Sequence, residues 1–199
     1  MPHTQTHITL LIDQTSSMTP YAGQVVDGLN YYVKQLCAQA PGPVFATLQT
    51  FAETVTTEYQ QRPIHRVDKL RLESYSPYGN TALYDAIKAT LEVLPVASPQ
   101  RQLAVILSDG EDVCSMTTLT DCAAVIAKAQ AAGVLVVFLG DRPEALETAA
   151  LLGIPAHCRY RFTAREGLRN VFQVLTTQTV QALTEVATKG LLPAQFFSN

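Results

Sequence analysis

Four cysteines are spread through the 199 residues, at positions 37, 114, 122 and 158, and no two form a CxxC pair. That leaves no disulfide framework and no redox motif, so reduced thiols in a cytosolic protein are expected. A zinc site from Cys114, Cys122 and His157 would match no standard ligand spacing. Charge is also sparse. Only 16% of residues are charged, the net charge is −3, and no basic stripe is present. Nucleic-acid binding therefore has no electrostatic footprint. The opening Met1 to His7 has no positive region and no apolar run, so it does not read as an export signal. The most apolar stretch, Val134 to Leu139, is far too short to span a bilayer. A cytoplasmic protein with neither nucleic-acid nor membrane partners is expected.

What remains is ordinary for a folded domain. Hydrophobic residues make up 47%, and the length suits one core-forming domain. Short apolar runs alternate with helical patterns. Ile8–Ile12 reads as a buried strand, and Thr19-Pro20 as the start of a helix carrying Val25, Leu29, Val33 and Leu36 on one face. Val44–Phe51 and Val55–Gln60 are separated only by Ala52-Glu53-Thr54, which predicts an antiparallel hairpin. A polar stretch from Arg62 to Asn80 leads to a helix opened by Thr81, with Leu83, Ile87, Leu91 and Leu94 on one side, ended by Pro95. Leu103–Leu107 and Val134–Leu139 are further buried strands flanking a helix from Asp121 to Ala132. Pro143–Leu152 reads as a helix and Ala156–Phe162 as a last strand. Thr163 to Glu166 forms a capping box for a long helix with Leu168, Val171, Leu175 and Leu183 along one side. The whole is expected to be one domain, residues 1–199, with its core over about 7–189 and a tail, 190–199, apolar enough to pack back. The order β-α-β-β-α-β-α-β-α-β-α predicts a doubly wound α/β fold, a mostly parallel sheet with helices on both faces.

Open parallel sheets bind ligands beyond the carboxyl ends of their strands. Three segments in such places are rich in oxygen donors: Asp13-Gln14-Thr15-Ser16-Ser17, Gly79-Asn80-Thr81 and Ser108-Asp109-Gly110-Glu111-Asp112. Asp13, Thr15 and Ser17 alternate, which in an extended turn puts three oxygens on one side. None of the segments holds histidine or cysteine, so the set suits a hard divalent cation such as Mg²⁺ and disfavours zinc or copper. Each segment also has a plainer explanation. Thr15 and Ser17 suit a polar loop, Thr81 an N-cap, and Asp109-Gly110 a turn. Glu111 and Asp112 could rim such a site, but read more plainly as solvated loop charges.

"LLIDQTSSM", "YGNTALYDAI" and "LAVILSDGEDV", in that order and separation, resemble the von Willebrand factor A (vWA) domain with its metal-ion-dependent adhesion site. The likeness runs from about Ile8 to the last long helix. It implies a six-stranded Rossmann-like sheet in the order 3-2-1-4-5-6 with strand three antiparallel. It also implies that Asp13, Thr15, Ser17, Thr81 and Asp109 hold a Mg²⁺ or Mn²⁺ ion whose shell a partner's Asp or Glu carboxylate completes. Such a domain binds protein and is not an enzyme. The short form resembles bacterial, intracellular members of the family, which serve as adaptors in stress-response and phage- or plasmid-linked gene clusters. Two departures stand out. Thr15 replaces a more usual serine, and Ser16 stands where glycine is common. A positive φ at position 16 would strain it.

Three rival readings follow from the residues. An aspartate-nucleophile phosphatase would want a second acid where Thr15 stands and a lysine near the metal. A nucleotide binder would want glycines between Asp13 and Ser17, where there are none. A metal-free scaffold would bind through its apolar surface or its tail.

Overall fold

The computed structural model describes residues 5–94, 101–163, 167–189 and 195–197. Six strands form one sheet: β1 (Thr6–Asp13), β2 (Val44–Phe51), β3 (Val55–Pro63), β4 (Arg101–Leu107), β5 (Val134–Gly140) and β6 (Arg159–Arg161). Their order is β3-β2-β1-β4-β5-β6. β3 alone is antiparallel to its neighbour. This is the predicted sheet and the predicted hairpin.

Among the described residues four α-helices connect strands, α1 (Ala22–Gln39), α2 (Leu83–Glu92), α3 (Leu119–Ala131) and α4 (Pro143–Leu151), and a fifth, α5 (Gly167–Lys189), follows the last strand. The chain leaves β1 toward β2 in one direction and leaves β4 toward β5 in the other. Right-handed crossovers then put α1 and α3 on opposite faces. α1 packs on α5 and α2 packs on α3. The central strands are buried on both faces, so β4 from Leu103 and β5 are unbroken apolar runs up to their ends, while β1 also buries the polar Thr6, His7, Thr9 and Asp13. The α1–α5 contact is close because Gly28 has no side chain. A Cβ there would lie 2.0 Å from the buried Phe172 ring. Tyr32, buried beside Phe172, spends its hydroxyl on Thr179 Oγ1 at 3.0 Å.

Several boundaries differ from the sequence expectation. Thr19-Pro20 does not start α1. Both lie inside a 3-10 turn, Ser16–Tyr21, and the α-helix begins at Ala22. Thr81 does not cap α2, whose N-cap is Ala82. The last strand is only three residues, because Ala156–Cys158 form a 3-10 turn. Pro95 and positions 164–166 of the proposed capping box fall outside the described residues. The tail does pack back where it is described. Phe196 and Phe197 are buried, the Phe197 N–H donates to the His157 carbonyl at 2.8 Å, and its ring lies 5.1 Å from Tyr160. Among the described residues, no helix is long and apolar enough to cross a membrane.

β3 is an edge strand and carries a bulge opposite Thr47. Gln61 takes a positive φ of 47° there, and its N–H donates to Thr47 Oγ1 at 3.0 Å. The same oxygen lies 2.9 Å from His7 Nε2. Burial holds the His7 imidazole below its ordinary value, so the consistent assignment has the Thr47 hydroxyl donating to a neutral ring. A folded value below the unfolded 6.5 means the unfolded chain binds the extra proton. His7 therefore costs stability as pH falls through about 6.5, by about 1.4 kcal/mol for each unit of depression. Urea melts at pH 7.5 and 5.0 should show a smaller acid loss for His7→Gln than for wild type. Equal losses would refute this account.

Candidate metal centre

The carboxyl ends of β1, β2, β4 and β5 share one edge of the sheet, at the point where the chain reverses its direction of travel. Pairing of Ile12 with Leu107 sets Asp13 beside Ser108. Asp13 is fully buried. One carboxylate oxygen accepts the Thr15 N–H at 2.9 Å and the other accepts the Ser108 hydroxyl at 2.7 Å. Its carbonyl accepts the Tyr75 hydroxyl. Burial pushes the Asp13 carboxyl up to about 6, the hydrogen bonds from Ser108 and Thr15 oppose that rise, and the nearby charge of Asp109 adds to it.

Thr15 Oγ1 and Ser17 Oγ lie 3.0 Å apart. Thr15 is buried and Ser17 is exposed, so the hydroxyl pair stands at the mouth of the site. Asp109 is buried, and one of its oxygens pairs with Arg142 Nη2 at 2.9 Å while the other accepts the Glu111 N–H at 3.3 Å. Thr81 is buried and tied to the third loop through its carbonyl, which accepts the N–H groups of Val113 and Cys114 at 2.8 and 3.1 Å. The first loop is tied to the second in the same way. The N–H and the hydroxyl of Ser16 both donate to the Gly79 carbonyl, at 3.3 and 3.1 Å.

Ser16 is therefore not strained. Gln61 is the only non-glycine residue with a positive φ among those described, and Ser16 latches two loops together. Gln14 and Asp112 also do more than their sequence reading allowed. The Gln14 side-chain amide donates to the Ser76 carbonyl at 3.0 Å, and the Gln14 backbone carbonyl accepts the Tyr78 N–H. Asp112 accepts the Tyr84 N–H at 3.2 Å, and the Ser115 hydroxyl accepts the Asp85 N–H at 3.1 Å, so the β4–α3 loop caps α2 from outside. The sequence reading placed Ser108 in the third oxygen-rich segment without its bond to Asp13, and it missed Tyr75 and Arg142. Arg142 had a legible signal, since Asp141-Arg142 directly follows the parallel strand β5, as the first and third oxygen-rich segments follow β1 and β4. The zinc candidates do not form a site. Cys114 is exposed, Cys122 is buried in α3, and His157 precedes β6. Among the described residues no three His, Cys, Asp or Glu side chains gather to hold a metal.

A model of the von Willebrand factor type A domain matches residues 7–186. The chain belongs to that family. Solved structures agree on the fold of this vWA domain. Proximal thread matrix protein 1 from the mussel byssus, in a form with a zinc-occupied MIDAS motif, superposes with a TM-score of 0.67 at 16% identity, covering 89% of this chain and 46% of that one. The pilus adhesin SpaC from Lactobacillus rhamnosus GG gives 0.75 at 11%, covering 91% and 30%. An aerotolerance-related membrane protein from Bacteroides fragilis gives 0.63 at 16%, covering 88% and 98%. The vWA domain thus spans less than half of the first two. No curated protein matches it in sequence.

The donors fit a hard cation on this structure's own geometry. The Thr15 and Ser17 hydroxyls hydrogen-bond to one another at 3.0 Å, a separation that adjacent ligands of an octahedral ion at ~2.1 Å would also keep, at about 3.0 Å. The carboxylates of Asp13 and Asp109 are both buried, and the charge of Asp109 is near enough to act on Asp13.

Proposed function

We propose that this vWA domain is a non-enzymatic binding module that grips a protein partner's carboxylate through one Mg²⁺ or Mn²⁺ ion. The observation that carries the reading is the Thr15–Ser17 hydroxyl pair at octahedral spacing, backed by Asp13 and open to solvent at Ser17. Thr15 and Ser17 would bind the ion directly, Asp13 directly or through water, with Thr81 and Asp109 completing the protein's share. Neutral hydroxyls leave much of the ion's charge uncancelled, so the bound ion supplies a Lewis-acidic point for an outside carboxylate. Exposed Tyr78, Val113 and Met116 lie on the two loops beside this mouth. Exposed large apolar side chains held on pinned loops suit protein contact. An enzymatic role finds less support, since position 15 is not an acid and no lysine lies in the three segments. The reading extends to a cytoplasmic adaptor, which imaging of a tagged full-length chain would test.

Calorimetry with Mg²⁺ and Mn²⁺ tests the core of it. The wild type should bind one ion and Asp13→Asn none at millimolar metal. A partner retained by the wild type should be lost both on chelation and with Asp13→Asn. A wild type that binds neither ion would sink the reading, and metal-dependent hydrolase turnover abolished by Asp13→Asn would replace it.

A further inference from the structure

The Asp109 side chain, one of the two carboxylates at the metal centre, is held by a cation that belongs to the chain itself. Arg142, the N-cap of α4, lies half-exposed with Nη2 2.9 Å from Asp109 Oδ2. Its Nε lies 3.4 Å from Asp141 Oδ1. Asp141 accepts the Tyr21 hydroxyl on Oδ2, while its buried Oδ1 has no hydrogen-bond partner. Tyr21 ends the 3-10 turn that begins at Ser16, beside the hydroxyl ligands. One guanidinium is thus shared between a carboxylate of the centre and a carboxylate just outside it.

Resting on the metal-centre reading above, we propose that Arg142 sets the charge of that centre, weakening its grip on the cation and strengthening the pull of the loaded site on an anion. Asp13 and Asp109 together carry −2, which alone would neutralise a divalent ion. Arg142 adds +1 beside Asp109. A guanidinium does not lose its proton in proteins, so this charge is fixed. It repels an incoming cation and attracts an incoming carboxylate. The planar fork also fixes where the Asp109 carboxylate sits, which a flexible ammonium would do less well. Arg142 is a positioning residue in this account. The two effects have opposite signs, and a merely structural role for the ion pair would not produce both.

Arg142→Gln removes the charge and Arg142→Lys keeps it. The position is half-exposed, so both variants should fold, which thermal unfolding checks. Mn²⁺ alone, titrated by calorimetry, is the first probe. Acetate, titrated into the Mn²⁺-loaded protein and followed by water-proton relaxation, is the second. Arg142→Gln should bind Mn²⁺ roughly tenfold tighter and acetate several-fold more weakly, as expected for one fixed charge near a partly screened site. Arg142→Lys should stay within about threefold of wild type for Mn²⁺. Mn²⁺ binding that is unchanged or weaker in Arg142→Gln overturns the proposal while leaving the metal centre standing. Equal acetate binding in wild type and Arg142→Gln overturns its second half. A wild type that binds no Mn²⁺ overturns the metal centre, and this proposal with it.

Discussion

Gly110→Ala is expected to destabilise the domain by about 3 kcal/mol or more, through two separable effects. Gly110 has φ +81°, a left-handed conformation that costs an L-residue roughly 1–2 kcal/mol. Its missing Cβ also makes room for α4. A Cβ there would sit 2.3 Å from Ala145 Cα and 2.6 Å from Ala145 Cβ. Ala145 is fully buried, so relief requires moving the helix backbone, and overpacking of this kind costs roughly 1–3 kcal/mol. Against a typical total of about 5–15 kcal/mol, that is a large fraction. The effect should reach the site, because α4 begins next to Arg142 and moving it would loosen the pair with Asp109. Urea denaturation would show the loss as a lower midpoint. Adding Ala145→Gly removes the contact at 2.6 Å but not the backbone contact at 2.3 Å, so rescue should be partial. A single variant within about 1 kcal/mol of wild type would contradict this packing.

The same glycine shows what a sequence can and cannot say. Asp109-Gly110 read as a turn after a strand, which is right about the backbone. That α4, more than thirty residues on, rests against that turn is a tertiary fact with no local signal. The sheet was legible because both its signals are local. Buried parallel strands are predominantly apolar along their length, and a three-residue gap between two strand patterns leaves only a hairpin. The acceptors Asp13 and Asp109 and the hydroxyls between them were legible because sites collect at strand ends. Ser16 looked like a departure from a glycine preference, yet in a 3-10 turn with negative φ its hydroxyl reaches the Gly79 carbonyl. Asp112 looked like a loop charge because its partner, the Tyr84 N–H, is 28 residues away. Thr81 looked like a cap, and the capping groups come from Asp112 and Ser115 instead. In each case the residue type was consistent with two roles, and the long-range partner decided between them.

Asp13→Asn should make the metal-free protein more stable at pH 7.5 while abolishing stabilisation by metal. Asp13 is fully buried and its carboxyl is pushed up to about 6, mainly by burial. A folded value above the unfolded 3.8 means the folded chain holds the extra proton between the two. Its stabilising contribution is fully present below 3.8 and is lost as pH rises through about 6. At pH 7.5 the ionised group costs up to about 3 kcal/mol relative to a neutral one. Asparagine removes that charge and the repulsion from Asp109. It retains one acceptor oxygen, so the bond to the Thr15 N–H survives while the Ser108 hydroxyl must turn to accept from the amide. That loss reduces the net gain to about 1 kcal/mol. The advantage should shrink as pH falls through about 6, where the folded wild-type carboxyl takes up its proton, and reverse at about pH 5. Mn²⁺ inverts the order at neutral pH. A wild type that binds the ion gains RT ln(1 + [L]/Kd), about 2.7 kcal/mol at a hundredfold excess over Kd, and the variant gains nothing. Thermal melts of both proteins, with chelator and with Mn²⁺, should therefore cross. Melts in which Asp13→Asn is the less stable protein under both conditions would show that Asp13 is there for the fold. Melts that cross identify a buried charge kept at a cost to stability because the site requires it.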